Sequence, residues 1–175
     1  VAPESNEPDP RSWRYPDYSR TVGSLNFASE ITENQKLKAV AWIDFFNQDI
    51  DNYTDMTYST RNERTNDDIT TLGTRLSYDF SPSYNHSWTA SASSYYTMCT
   101  ETVSPIENEV VSDGTAADYS EILYDLGIEY RYQPIRDLIL SAGGLFSGRQ
   151  NPETGFYPES EGASSNDFGG ILGAK

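Results

Sequence analysis

The apolar stretches of this chain share one pattern. Each runs for roughly ten residues, alternates apolar with polar positions, and ends at either a short polar turn or a long acidic segment. The short turns are Thr32-Glu33-Asn34-Gln35, Ser81-Pro82-Ser83-Tyr84-Asn85 and Gln133-Pro134-Ile135-Arg136. The long segments span 47–69, 98–120 and 148–166. Strand side chains point alternately to two faces, so period two held over six or more residues marks a half-buried antiparallel strand. One stretch sets Leu72, Thr74, Leu76, Tyr78 and Phe80 against Gly73, Arg75, Ser77 and Asp79. Another sets Ile122, Tyr124, Leu126, Ile128, Tyr130 and Tyr132 against Leu123, Asp125, Gly127, Glu129 and Arg131. With 21–31, 36–46, 88–96, 138–146 and a stretch starting near Asp167, about seven strands are predicted over 21–175. Residues 1–20 hold four prolines and little alternation, and predict an irregular segment.

Such strands can bury their apolar face against a second sheet or against lipid. Sandwich strands usually run about five or six residues, whereas strands of about ten, tilted by about 45°, cross a bilayer. Arg75, Asp79, Asp125, Glu129 and Arg131 each stand between apolar neighbours, as a polar lumen requires. Alternating short turns and long loops give one rim to the periplasm and one to the outside. The expected fold is therefore an all-β, antiparallel transmembrane β-barrel of the bacterial outer membrane. Its three acidic loops and residues 1–20 would lie outward, against the lipid bilayer and lipopolysaccharide. Seven is an odd strand count and the last stretch lacks a closing aromatic, so a larger barrel is expected. The chain has 13 Tyr, 3 Trp and 7 Phe. Tyr78, Phe80, Trp88, Tyr130 and Tyr132 beside the short turns, with Tyr96 and Phe146 at the far strand ends, predict two aromatic girdles.

Charge and motifs narrow the function. A net charge of −15, most of it in the outward segments, disfavours nucleic acid. No phosphate-binding loop or paired-carboxylate motif supports an enzyme. The lone His86 sits in a turn and reads as a surface polar residue, and the lone Cys99 as a small apolar filler. Asp49, Asp51 and Asp55 gather oxygen donors suited to Ca²⁺, without the glycine and closing glutamate of an EF-hand loop; the alternative is plain solvation. Gly143-Gly144 and Gly169-Gly170 read as a local bend, or as a kink that opens a gap in the wall for a solute.

The run YDLGIEYRYQPIRDLILSAGGLFSGRQNPE, the SSNDF segment and the closing GGILGAK resemble the carboxyl-terminal strands of outer-membrane long-chain fatty-acid transporters. Leu138, Leu140, Ala142, Gly143, Pro152, Leu172, Gly173 and Ala174 carry the likeness. The resemblance implies a porin-like barrel passing small hydrophobic solutes, with an amino-terminal plug outside this segment. The middle strands look equally like the barrel of TonB-dependent receptors. A third reading is an outer-membrane anchor, structural or adhesive, that presents the acidic loops to a partner.

Overall fold

The computed structural model of the chain describes residues 12–54, 56–154 and 164–174. Its strands are β1 (Trp13–Thr32), β2 (Gln35–Tyr53), β3 (Arg61–Ser83), β4 (His86–Glu107), β5 (Val110–Val111), β6 (Thr115–Ile135), β7 (Leu138–Thr154) and β8 (Ser164–Ala174). They form one antiparallel meander in the order β1-β2-β3-β4-β6-β7-β8, with the two-residue β5 paired to β4. Two-residue turns at Glu33-Asn34, Tyr84-Asn85 and Arg136-Asp137 close one end. Adjacent turns are stitched there: the Ser81 amide donates to the Asn34 carbonyl, and the Gln133 amide to the Asn85 carbonyl, each at 2.8 Å.

The strands are about twice their expected length. β2 runs on to Tyr53 and β3 begins at Arg61, so most of 47–69 is strand rather than loop. Likewise β4 reaches Glu107 and β6 starts at Thr115 within 98–120, while β7 and β8 take up both ends of 148–166. β1 begins at Trp13, so 13–20 is strand as well; residues 1–11 lie outside the described residues. The reason for the difference is physical. Alternation is visible only where one face is apolar, and these extensions are polar on both faces.

Among the described residues no second layer covers the sheet. Among the described residues Ile106 is the one buried hydrophobic side chain, while Leu25, Phe27, Leu76, Leu126, Ile128 and Leu172 are all exposed. A soluble sandwich would bury such residues between two sheets.

Candidate functional site: the two faces of the sheet

Register assigns each strand's residues to a face, because residues directly opposite in an antiparallel ladder share one. Arg75 lies opposite Ser93, which lies opposite Asp125; Asp79 lies opposite Thr89, which lies opposite Glu129. With Arg131 two residues beyond Glu129, all five charged residues singled out in the sequence share one face. Hydroxyl neighbours hold the carboxylates: Thr89 donates to Asp79 at 2.9 Å and Ser93 to Asp125 at 3.1 Å. Lys38 reaches Asp79 at 3.5 Å, and Arg131 bonds Glu129 at 2.8 and 3.0 Å along its own strand. Arg75 and Asp125, two strands apart, have Ser93 between them.

Sequence reasoning missed an ion pair on this face. The Arg20 guanidinium grips both Asp44 carboxylate oxygens at 2.5–3.1 Å. Finding it requires β1 to extend back past Thr21. Trp42 also belongs to this face, where its indole lies over Gly73 and meets Tyr95 edge-on at 5.2 Å. A Cβ at position 73 would overlap the indole, so glycine leaves room for the ring.

The opposite face is apolar over a band. One row across it reads Phe27, Ala39, Leu76, Ala92, Leu126 and Phe146; the next holds Leu37, Tyr78, Ala90 and Ile128, then Gly144 opposite Gly170. Toward the short turns the band ends in rings. Trp88 and Tyr130 lie 4.5 Å apart, His86 stacks on Tyr132 at 4.8 Å, and His86 Nδ1 and the Tyr130 hydroxyl share a hydrogen bond of 2.6 Å. Toward the other end stand Tyr96, opposite Ile122, and Tyr124; Phe146, expected there, lies opposite Leu126 inside the band, 4.8 Å from Phe168 and 5.9 Å from Tyr124. On β6 the band runs from Ile122 to Tyr132. That is roughly 33 Å along the strand, or about 24 Å in height at a 45° tilt. A membrane barrel's apolar band is about 25 Å tall.

Beyond the band, both faces are polar and the side chains bond across strands. Asn47 donates to Asp68 at 2.6 Å, Gln48 to Asp67 at 2.7 Å, Asn66 to Asp49 at 2.8 Å and Asn52 to Glu63 at 3.0 Å. Thr100 donates to Asp118 at 2.7 Å and the Tyr119 hydroxyl to Glu101 at 2.9 Å. Asp51, 3% exposed, is held by Arg64 at 2.7 and 3.1 Å and faces Arg61 at 3.4 Å. Burial alone would raise its carboxyl, but the bonds and charge of Arg64 and then Arg61 outweigh burial and hold it below the ordinary range.

These bonds bear on two of the three residues of the calcium expectation. Asp49 and Asp51 turn to Asn66, Arg64 and Arg61, which already answer their charge, and Asp55 lies outside the described residues. Among the described residues no group of three or more His, Cys, Asp or Glu is placed to hold a metal ion. β7 and β8 pair continuously from Leu140 opposite Ala174 to Gln150 opposite Ser164, through Gly143, Gly144, Gly169 and Gly170.

No protein-family model matches the chain, and no curated protein matches it in sequence. Its fold does have a counterpart among solved structures, the copper transporter OprC, with a TM-score of 0.72 at 13% identity. The alignment covers 91% of this chain and 28% of OprC, so the chain spans less than a third of that protein's length. OprC is a copper transporter, and its match gives the fatty-acid-transporter resemblance no support. At this identity it is a likeness of fold: an antiparallel sheet of about eight strands that matches part of a larger barrel.

Proposed function

We propose that this chain forms part of the wall of an outer-membrane transport barrel of the TonB-dependent receptor kind. The face with Arg75, Asp79, Asp125, Glu129 and Arg131 lines the lumen, the apolar band meets lipid, and the polar extensions stand outside the cell. The carrying observation is the band itself. It is uncovered, continuous across the strands on one face, close to 25 Å tall, edged by rings toward the short turns and followed by cross-bonded polar side chains beyond. The fold likeness to OprC supports this reading over passage of a hydrophobic solute through the wall, since the ladder through the glycine pairs is unbroken. The copper in OprC's name does not come across by residues. Cys99 and Met98, adjacent on β4, point to opposite faces, and His86 lies at the far end of that strand. The cargo in this proposal is a polar solute that the lumen face admits.

The test is a cysteine scan of the full-length protein in a Cys99→Ser background, reconstituted in lipid vesicles. Ser93→Cys and Ser77→Cys should react with a water-soluble maleimide. Ala92→Cys and Leu76→Cys should resist it and be reached by lipid-borne quenchers instead. Equal reactivity of the two sets would sink the proposal.

A further inference from the structure

The tip of the β4–β6 hairpin stands beyond its neighbours. β3 pairs with β4 as far as Glu63 opposite Pro105, and β6 as far as Thr115 opposite Val103. Residues 106–114 therefore project past the sheet. They fold back on themselves through Ile106 opposite Val111, Glu107 opposite Val110, and the Ser112 amide donating to the Pro105 carbonyl at 2.9 Å. The turn residues Asn108 and Glu109 have φ of 51° and 64°, the left-handed region that side-chain-bearing residues adopt at a cost. Among the described residues, the side-chain bond tying this tip to the neighbouring hairpin joins Arg61 to Glu109, at 2.6 and 3.2 Å.

Arg61 is shared, and its two contacts are unequal. Its contact with Asp51 is 3.4 Å long, whereas Arg64 holds that same carboxylate at 2.7 and 3.1 Å. Parting Asp51 from Arg64 would strand a charge whose side chain is 4% exposed. Parting Glu109 from Arg61 would release a carboxylate that is already 61% exposed into water, and an exposed pair of that kind opens at little cost. The network thus has a fixed half and a releasable half. Gly114 sits at the base of the tip, where a Cβ would come within 2.8 Å of the Val103 carbonyl oxygen, so the tip folds close against β4.

We propose that residues 106–114 form a hinged flap at the outer end of the wall. The Arg61–Glu109 pair latches it closed, and it opens at Pro105 and at 112–114 while the Asp51–Arg64 anchor stays intact. The proposal rests on the reading of that end as outward-facing. Its test uses the full-length protein in a Cys99→Ser background, with nitroxide spin labels at Val111→Cys and Thr70→Cys and their separation read by pulsed electron resonance. Closed flaps should give one narrow distance distribution. Glu109→Gln should move at least a third of the population to longer distances, and 1 M salt on the unsubstituted latch should do the same by screening. A distribution in Glu109→Gln that overlays the parent would overturn the latch. If that variant fails to assemble, an unchanged distribution in high salt overturns it equally. Reaction of Val111→Cys with an impermeant maleimide on intact cells judges the outward placement separately. Labelling supports it, and protection refutes that reading whatever the distances show.

Discussion

The lower and upper halves of this sheet hold the same strands in register by different means. Below, from the short turns to about Phe45, Leu72 and Met98, one face is apolar and the alternation of side chains fixes the pairing. A slip of one residue would turn Leu76 and Ile128 to the polar face and Arg75 and Glu129 to the apolar one. Above, neither face is apolar, and that penalty vanishes. Register there rests on cross-strand bonds such as Asn47 to Asp68 and Gln48 to Asp67, and on the Asp51–Arg64 pair. The lesson is that strand length and the height of the apolar band are separate quantities. The band tells how tall the apolar layer is, and the strands continue while polar side chains can satisfy one another.

The sharpest way to break the comparison is to place one charge on the same face in each half. Ile128→Arg, near the middle of the band on β6, should lower the stability of the barrel in vesicles by about 2–4 kcal/mol. Asp118→Arg, on the same face and strand but above the band, should change it by under about 1 kcal/mol. Denaturant titration of both variants checks this. Similar losses at the two positions would remove the distinction between the halves.

Asp51→Asn tests the upper half at its most buried point. It removes a charged acceptor from Arg64 and Arg61, and losing hydrogen bonds to a charged group costs about 1.5–3 kcal/mol. The loss should be local, seen as faster amide exchange at Asn52 and Arg64 with the band unchanged. pH offers the same test without mutation. The folded Asp51 carboxyl lies below its ordinary 3.8. Its contribution is therefore complete above that value and fades as pH falls through the folded one. Exchange near Asn52 should rise below pH about 3.8 before exchange in the band does. The opposite order would show that Asp51 does not set stability there.

The band was legible in the sequence because burying one face leaves a period-two trace, plain in Leu72–Phe80 and Ile122–Tyr132. The same trace put Arg75, Asp79, Asp125, Glu129 and Arg131 on one face. β2 read poorly, with Val40, Trp42 and Phe46 on the side of Lys38 and Asp44. The structure supplies the reason for Trp42: it covers Gly73 of the next strand, a relation that only register reveals. Asp49 and Asp51 looked like cation ligands because their partners Arg64 and Asn66 lie on a neighbouring strand that the sequence presents as loop. The likeness to fatty-acid transporters rested on short apolar strands that many barrels share, whereas the fold match to OprC covers 91% of the chain.

Gly73→Ala probes the Trp42 contact across β2 and β3. The added methyl must displace the indole, and overpacking of this kind costs about 1–3 kcal/mol. If Trp42 swings freely away from Gly73 instead, the cost should shrink toward zero while its fluorescence shifts to the red. Trp13→Phe and Trp88→Phe in the same protein leave Trp42 as the sole reporter.

The smallest expected effect is the most direct measure of the upper half. Asn47 and Asp68 stand directly opposite on β2 and β3, with the amide donating to the carboxylate at 2.6 Å. Each is on the face that carries the apolar band, just above Phe45 and Thr70. A cross-strand pair of this kind contributes about 0.2–1 kcal/mol relative to alanine. A cycle of Asn47→Ala, Asp68→Ala and the double variant should return a coupling in that range. The same cycle on Leu37 and Tyr78, a pair inside the band, should return less, because the band is held by contact with its surroundings rather than by pairwise bonds. Coupling is the discriminating quantity here, since either single change also alters net charge or area. A value near zero for Asn47 and Asp68, with normal exchange protection in both strands, would mean that backbone pairing alone sustains the extensions. The polar ladders would then be decoration on strands that persist for another reason.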